Sequence, residues 1–346
     1  MPIEEPHWWY KNRHAWQSLA LAPVGSLYGM VSARRMAQGP RYVSKFPVLC
    51  AGNVTVGGTG KTPLSVALAD IVRELGFEPV FLTRGYGGSD VGPLAVDTHS
   101  ATAAQVGDEP LLLARAAATI VARDRVQGAK LIEKTFGART IIIMDDGLQN
   151  PALAKDFSVL VVDVKRRFGN GRCLPAGPLR VPLANQLPRI GAVLLNGSAT
   201  PDEAAKAEAM ISAAYSGPIL RGEAAPAGDL KWLKGASVLA YAGIANPGRF
   251  FALLEREGAR ILAQRTFTDH HVFTHAEAEA LLAEAGTLNA RLVTTEKDFV
   301  RLYGAQGSLA TLRDQSLTLP IVLHLPDDGH ERLAALVLQA TEIKKR

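Results

Sequence analysis

Phe46-Pro-Val-Leu-Cys-Ala-Gly-Asn-Val-Thr-Val-Gly-Gly-Thr-Gly-Lys-Thr-Pro63 reads as a buried strand, a glycine-rich turn and the opening of a helix. The apolar run suits a strand covered on both faces, and a helical pattern follows over residues 63–75. Gly57, Gly58 and Gly60 let the backbone curl so that successive N–H groups point inward, with Thr55, Val56 and Thr59 completing the turn. Lys61 adds a cation for the β- and γ-phosphates of a nucleotide, and Thr62 carries a hydroxyl suited to Mg2+. The positive end of the helix faces the same anion. The strict phosphate-loop pattern asks for glycine at position 55, where this chain has Thr55. Lysine and threonine still follow the last glycine directly, between a strand and a helix, and this predicts nucleotide binding.

Downstream, a second apolar strand over residues 78–83 ends in Arg84 and a glycine-rich loop. Strand, helix, strand is the rhythm of a parallel sheet whose ligand sites lie at the strand C-termini, so Arg84 either faces phosphate or sits on the surface. A third strand, Thr140-Ile-Ile-Ile-Met-Asp-Asp146, ends in two carboxylates, the arrangement for holding Mg2+ across from Thr62. Gly107-Asp-Glu-Pro110 precedes a helical run over 111–118. Its acidic pair suits N-capping, or a carboxylate that takes the proton of an attacking hydroxyl; spacing favours capping. Residues 165–182 form a long basic loop, in which Arg166, Arg167, Arg172 or Arg180 is suited to an anionic acceptor. After a strand over 190–195 and a helix over 201–215, residues 222–229 read as a linker.

The remainder reads as a smaller α/β domain carrying Thr268-Asp-His-His-Val-Phe-Thr-His275. No cysteine or carboxylate pattern supports zinc there, and an orienting or proton-shuttling histidine fits better. Before the phosphate loop, residues 7–35 hold three of the chain's 4 tryptophans beside Lys11, Arg13, Arg34 and Arg35. Gln17, Pro23 and Gly25 interrupt the apolar part, so it suits a helix lying in the headgroup layer or packed on its own domain rather than a span. The fold class expected is α/β: a P-loop NTPase-type core with a mostly parallel sheet, a smaller α/β second domain and an N-terminal amphipathic helical segment. The boundaries expected are 1–35, 36–228 and 229–346.

The 346 residues suffice for two domains, and 47% hydrophobic content excludes wholesale disorder. A net charge of +5 suits an anionic substrate and falls short of a nucleic-acid-binding signature. Cys50 and Cys173 stand apart without C-x-x-C spacing, and no cleavable leader is evident, so a reducing cytosol is expected.

Eight segments carry a family resemblance in order: residues 52–63, Thr-Arg-Gly-Tyr-Gly (83–87), Gly-Asp-Glu-Pro (107–110), Asp-Asp-Gly-Leu-Gln (145–149), Phe-Gly-Asn-Gly (168–171), Leu-Pro-Ala-Gly-Pro-Leu-Arg (174–180), Thr-Asp-His-His (268–271) and Val-Thr-Thr-Glu-Lys-Asp (293–298). Together they resemble the tetraacyldisaccharide 4'-kinase family of lipid A biosynthesis. The resemblance implies transfer of the ATP γ-phosphate to a lipid A disaccharide 1-phosphate at the cytoplasmic face of the bacterial inner membrane, with no nucleic acid and no obligate protein partner. It also implies that Lys61 and Thr62 hold phosphate and Mg2+, that Asp145 and Asp146 complete the metal site, and that Asp108 is the general base with His270 as its partner. The family often has glutamate after Leu-Arg, where this chain has Val181. A membrane-associated P-loop ATPase switch of the partitioning or iron-protein type is the alternative, but its signature lysine is replaced by Val56. A GTPase-type module would need Asn-Lys-x-Asp, which Thr295-Glu-Lys-Asp298 does not match.

Overall fold

The computed structural model describes residues 5–11 and 15–345; Arg13 lies outside them. The stretch that opens with Phe46 forms β1 (Val48–Gly52), every residue of it buried. Around it a nine-stranded sheet is built from β2 (Glu78–Thr83), β3 (Leu94–Ala95), β4 (Thr119–Val121), β5 (Thr140–Asp145), β6 (Phe157–Asp163), β7 (Ala192–Asn196), β8 (Ile219–Pro226) and β13 (Ile321–His324). The order is β13-β8-β7-β6-β1-β5-β2-β4-β3, and only the two edge pairings, β3 with β4 and β13 with β8, are antiparallel. This is the mostly parallel sheet expected, covered on both faces.

Alternation along β1 divides the core. Leu49 and Ala51 pack with Leu64, Leu68 and Ile71 of the helix after the phosphate loop, whereas Val48 and Cys50 face a second cluster with Ala129 and Ile132. A four-stranded parallel sheet follows, ordered β10-β9-β11-β12, from β9 (Ser237–Ala242), β10 (Arg260–Thr266), β11 (Arg291–Thr295) and β12 (Ser316–Leu319). It too has helices on both faces, with Phe250 and Leu254 against one side and Leu281 against the other.

Residues 222–229 are not simply a linker. Their first part belongs to β8, which pairs with β7 on one side and β13 on the other. Alternation was blurred there because Gly222, Ala224 and Ala225 bring little apolar bulk, and the ladder partners lie about a hundred residues later. The expected unit 229–346 likewise spans two sheets. β13 joins the larger one, and the helix Gly329–Lys345 inserts Leu333 and Val337 into its core.

At the N-terminus, α1 (Trp8–Lys11), α2 (Trp16–Ala20) and α3 (Ala22–Ala37) lie on the basic loop 165–182. Ser18 donates to the Ala176 carbonyl at 2.8 Å and accepts from Asn170, and the Trp9 indole donates to the Pro175 carbonyl at 3.1 Å. A methyl group on Gly25 would meet Ala176, and one on Gly29 would meet Cys173, so α3 approaches the loop through its glycines. Trp16, Leu19, Leu27, Met30 and Val31 point away from the protein and are exposed. Met36 apart, small and polar residues of α2 and α3 face inward and large apolar ones outward, the reverse of an ordinary surface helix. Among the described residues, no helix is long and apolar enough to cross a membrane.

Candidate functional site

The turn after β1 leads into α4 (Lys61–Glu74), which starts two residues earlier than its hydrophobic pattern suggests, at Lys61 itself. Gly60 precedes it with φ 95° and Gly57 adopts φ 93°, backbone that other residues adopt only under strain. The turn is laced to its surroundings. Thr55 bridges Leu179, the Val56 amide donates to the Pro178 carbonyl at 2.9 Å, and Asn196 at the end of β7 donates to the Thr59 carbonyl at 2.8 Å. Gly58 has open space where a side chain would stand, and Thr62 is the second residue of α4. Glu5 lies against Gly57, paired with Arg166 at 2.9 Å.

The two carboxylates after β5 have different surroundings. Asp146, with φ 50°, takes both of its contacts with Arg180 through Nη1, at 2.8 and 2.9 Å, and lies 3.8 Å from Lys61 Nζ. Burial opposes its charge, but Lys61 and Arg180 outweigh that and hold its carboxyl below the usual range. Asp145 accepts from the Ser65 hydroxyl at 2.6 Å through Oδ1. Burial, then the nearby Glu109, push it up to about 7 against the Ser65 hydrogen bond. Its Oδ2 is buried without a hydrogen-bond partner, as are Asn53 Oδ1 and Thr59 Oγ1. The orphaned oxygens of Asp145 and Asn53 beside a phosphate-type loop, with one carboxylate destabilised by burial and negative neighbours, fit a cation, and the unpartnered Thr59 hydroxyl can donate to a phosphate oxygen. Arg180 therefore serves Asp146, not a free anionic acceptor as the loop composition suggests. Val181 is buried, and its carbonyl accepts from Gln186 at 2.6 Å.

Beside the loop, α5 (Ala103–Val106) ends at Gly107, and α6 (Asp108–Ala114) begins at Asp108. Spacing favours capping, but the N-cap is Gly107 and no side chain caps the helix: Asp108 is its first residue, and its Oδ1 accepts from the adjacent Glu109 amide at 2.9 Å. Its other oxygen does more. Oδ2 takes His270 Nδ1 at 3.0 Å and Arg301 Nε and Nη2 at 3.2 and 2.6 Å. Desolvation by burial works against the charge, yet the His270 hydrogen bond, Arg301 and Lys297 together hold this carboxyl far below the usual range. The same hydrogen bond raises His270, whose side chain remains 37% exposed. Sequence spacing could not bring Asp108 and His270 together; the fold does so across 162 positions.

Arg301 escapes a motif-based reading. It pairs with Asp298 at 2.6 Å, three residues earlier in the chain, and donates to the Gly243 carbonyl at 2.7 Å. Its signal is the i,i+3 spacing after Val-Thr-Thr-Glu-Lys-Asp298, where a helix brings acid and base to one face. Lys297 pairs with Glu109 and Arg115 with Glu296, each at 3.0 Å, so three ionic contacts join α6 to the segment around the helix Glu296–Val300. His271 packs on Phe267 and meets Glu277 at 3.0 Å, and His275 meets Ser308, so neither joins His270 at the site. Arg84 is exposed, at the end of β2.

The sequence matches the family model described as tetraacyldisaccharide-1-P 4'-kinase over residues 17–340. It is 49% identical over 342 residues to a tetraacyldisaccharide 4'-kinase of Methylobacterium sp. (strain 4-46), covering 97% of this chain and 98% of that one. It is 43% identical over 346 residues to the protein of that name in Rhodopseudomonas palustris (strain BisA53), covering 99% and 98% respectively. The fold matches a crystal structure of LpxK from Aquifex aeolicus in complex with ATP, with a TM-score of 0.70 over 94% of this chain and 99% of that chain at 23% identity. With the phosphate loop, the carboxylate pair after β5 and the Asp108–His270 pair in one fold, and with relatives matched nearly end to end, the chain belongs to the tetraacyldisaccharide-1-P 4'-kinase family.

Proposed function

We propose that this chain transfers the γ-phosphate of ATP to the 4'-hydroxyl of a tetraacyldisaccharide 1-phosphate. The observation that carries the reading is the Asp108–His270 pair, contributed by the start of α6 and by the loop after β10 and held by Arg301; α6 packs with the helix of the phosphate loop on one face of the larger sheet. Phosphoryl transfer asks for positioning and charge neutralisation, and for a group that accepts the alcohol's proton as the bond forms. Lys61 and the backbone of residues 55–62 bind the phosphates. Thr62, Asp145 and Asp146 would hold Mg2+, which would supply positive charge against the phosphates. The family resemblance would make Asp108 the base, but its oxygens are already engaged by the Glu109 amide, His270 and Arg301; we assign it instead to keeping the proton on Nδ1 of His270, whose Nε2, 3.9 Å from Asp269, accepts the proton from the hydroxyl. The phosphate-loop unit spans 36–228, completed by the last strand and helix, and the smaller unit closes over the nucleotide.

Labelled γ-phosphate offered to purified tetraacyldisaccharide 1-phosphate in detergent micelles should appear in the lipid. ATP hydrolysis without labelled lipid, from protein that binds ATP, would favour a switch ATPase instead.

The exposed apolar face of α2 and α3 supports docking on the cytoplasmic surface of a bacterial inner membrane, with Arg34 and Arg35 in the last turn of α3 toward anionic headgroups. Leu27→Glu with Val31→Glu should reduce sedimentation with phosphatidylglycerol vesicles by roughly tenfold or more, since two half-exposed apolar side chains become charges. ATP affinity should be unchanged. Undiminished vesicle binding would remove this face as the docking surface.

A further inference from the structure

Tyr86 is an exposed aromatic on a loop that has little freedom to move. The residue is 66% exposed and its ring centroid lies 5.7 Å from that of His270, tilted by 58°. Its loop is built on glycines at φ 70° and 81°, Gly85 and Gly87. A methyl group on Gly88 would stand 2.5 Å from the Gln105 carbonyl, and one on Gly107 would collide with the Tyr86 carbonyl. The Ser89 and Asp90 amides donate to the Ala104 and Gln105 carbonyls, at 3.0 and 2.9 Å. Arg123 donates to the Gly88 carbonyl at 3.1 Å. The backbone is thus pressed against the segment that leads into Asp108, while the side chain it carries stands in solvent.

Folding stability gains little from an exposed ring, so the packing that fixes it calls for another reason. We propose that Tyr86 is the stacking platform for the acceptor sugar, positioning the ring whose hydroxyl is phosphorylated. The inference rests on the kinase reading above. A hydroxyl delivered to His270 brings the carbon atoms of its ring within van der Waals reach of an aromatic centred 5.7 Å away. A sugar has an apolar C–H face and polar edges, and a tyrosine has an apolar body and a polar tip, so the two surfaces match in kind. The neighbour in ring contact is an imidazole rather than an aliphatic cluster, which suits a sugar better than an acyl chain. Tyr86 belongs to the binding of one substrate and contributes nothing to the phosphate loop.

The test is steady-state transfer with Tyr86→Ala and Tyr86→Phe, varying lipid acceptor and ATP separately. Tyr86→Ala should raise the acceptor KM about tenfold and leave the ATP KM unchanged, and Tyr86→Phe should restore the acceptor KM. A second measurement uses the deacylated disaccharide 1-phosphate, whose sugar-ring protons should shift upfield in NMR on binding to the unaltered protein and not to Tyr86→Ala. An unmoved acceptor KM in Tyr86→Ala, with product formed normally, overturns this inference alone. A raised ATP KM would assign the ring to the nucleotide or to loop integrity, and failure of Tyr86→Phe would assign the role to the hydroxyl; either overturns it. Absence of labelled lipid from the unaltered protein would overturn the kinase reading, and the inference with it.

Discussion

Lys61→Ala is expected to lower phosphate transfer by about three orders of magnitude, or about 4 kcal/mol of transition-state stabilisation. Lys61 opens α4, its side chain is 10% exposed, and its ammonium sits 3.8 Å from Asp146. That contact is the looser of two, because Arg180 holds the same carboxylate at 2.8 Å. The ammonium can therefore turn to a phosphate oxygen without stranding Asp146, and it would do so where negative charge moves during transfer. For the same reason its loss should leave the fold almost intact, since Asp146 keeps Arg180. Lys61→Arg should not rescue, because a planar guanidinium does not replace a compact ammonium inside a tight turn. Single-turnover transfer with saturating ATP, read beside a melting curve, checks both halves. Transfer within tenfold of the unaltered chain would remove Lys61 from the reaction.

The same turn indicates how far the sequence alone could be read. Phosphate-loop chemistry is local: glycines, a lysine and a threonine must be adjacent in the chain because they act through consecutive backbone groups, so position alone singles out Lys61 and Thr62 as candidates. The parallel core was legible for a similar reason. Strands buried on both faces are written as unbroken apolar runs, as in Thr140-Ile-Ile-Ile-Met. Long-range pairings were not. β8 is half-buried at a sheet margin and reads as a linker until β13 arrives to cover it. Arg301 looks like one more surface base in a helix. Only the fold reveals that it is buried between Asp108 and Asp298, where burial raises Asp298 although Arg301 opposes this, while Asp108 is lowered. The distance between Asp108 and His270, like the direction in which α3 turns its apolar side chains, belongs to tertiary structure and leaves no periodic trace.

Asp108→Asn should lower kcat by about a hundred- to ten-thousand-fold, the range for losing a positioned acid–base group, while ATP binding persists. Asparagine keeps the shape, and Arg301 keeps Asp298 and the Gly243 carbonyl, so the buried guanidinium is not left alone. The charge is lost, however, and an amide can meet His270 Nδ1 through its nitrogen, favouring the wrong tautomer. The pH profile distinguishes this role from a structural one. His270 is raised above its ordinary 6.5 by the hydrogen bond to Asp108 and by the charges of Asp108 and Asp269, against burial and Arg301. Transfer by the unaltered chain should therefore rise with pH along a limb centred above 6.5, as the imidazole loses its proton. In Asp108→Asn, with Arg301 no longer neutralised on that side, the limb should move down. Stability follows the same groups with opposite signs. The lowered Asp108 contributes above its ordinary 3.8 and loses this as pH falls through its depressed value, whereas the raised His270 contributes below 6.5 and loses this as pH rises through its raised value. Between those limits the charged pair ties the two sheets together, so the limb of rising activity is also the range in which that tie weakens. A profile in Asp108→Asn with the same midpoint as the unaltered chain and a merely smaller amplitude would mean that Asp108 does not set the basicity of His270, and that the proton leaves by another group.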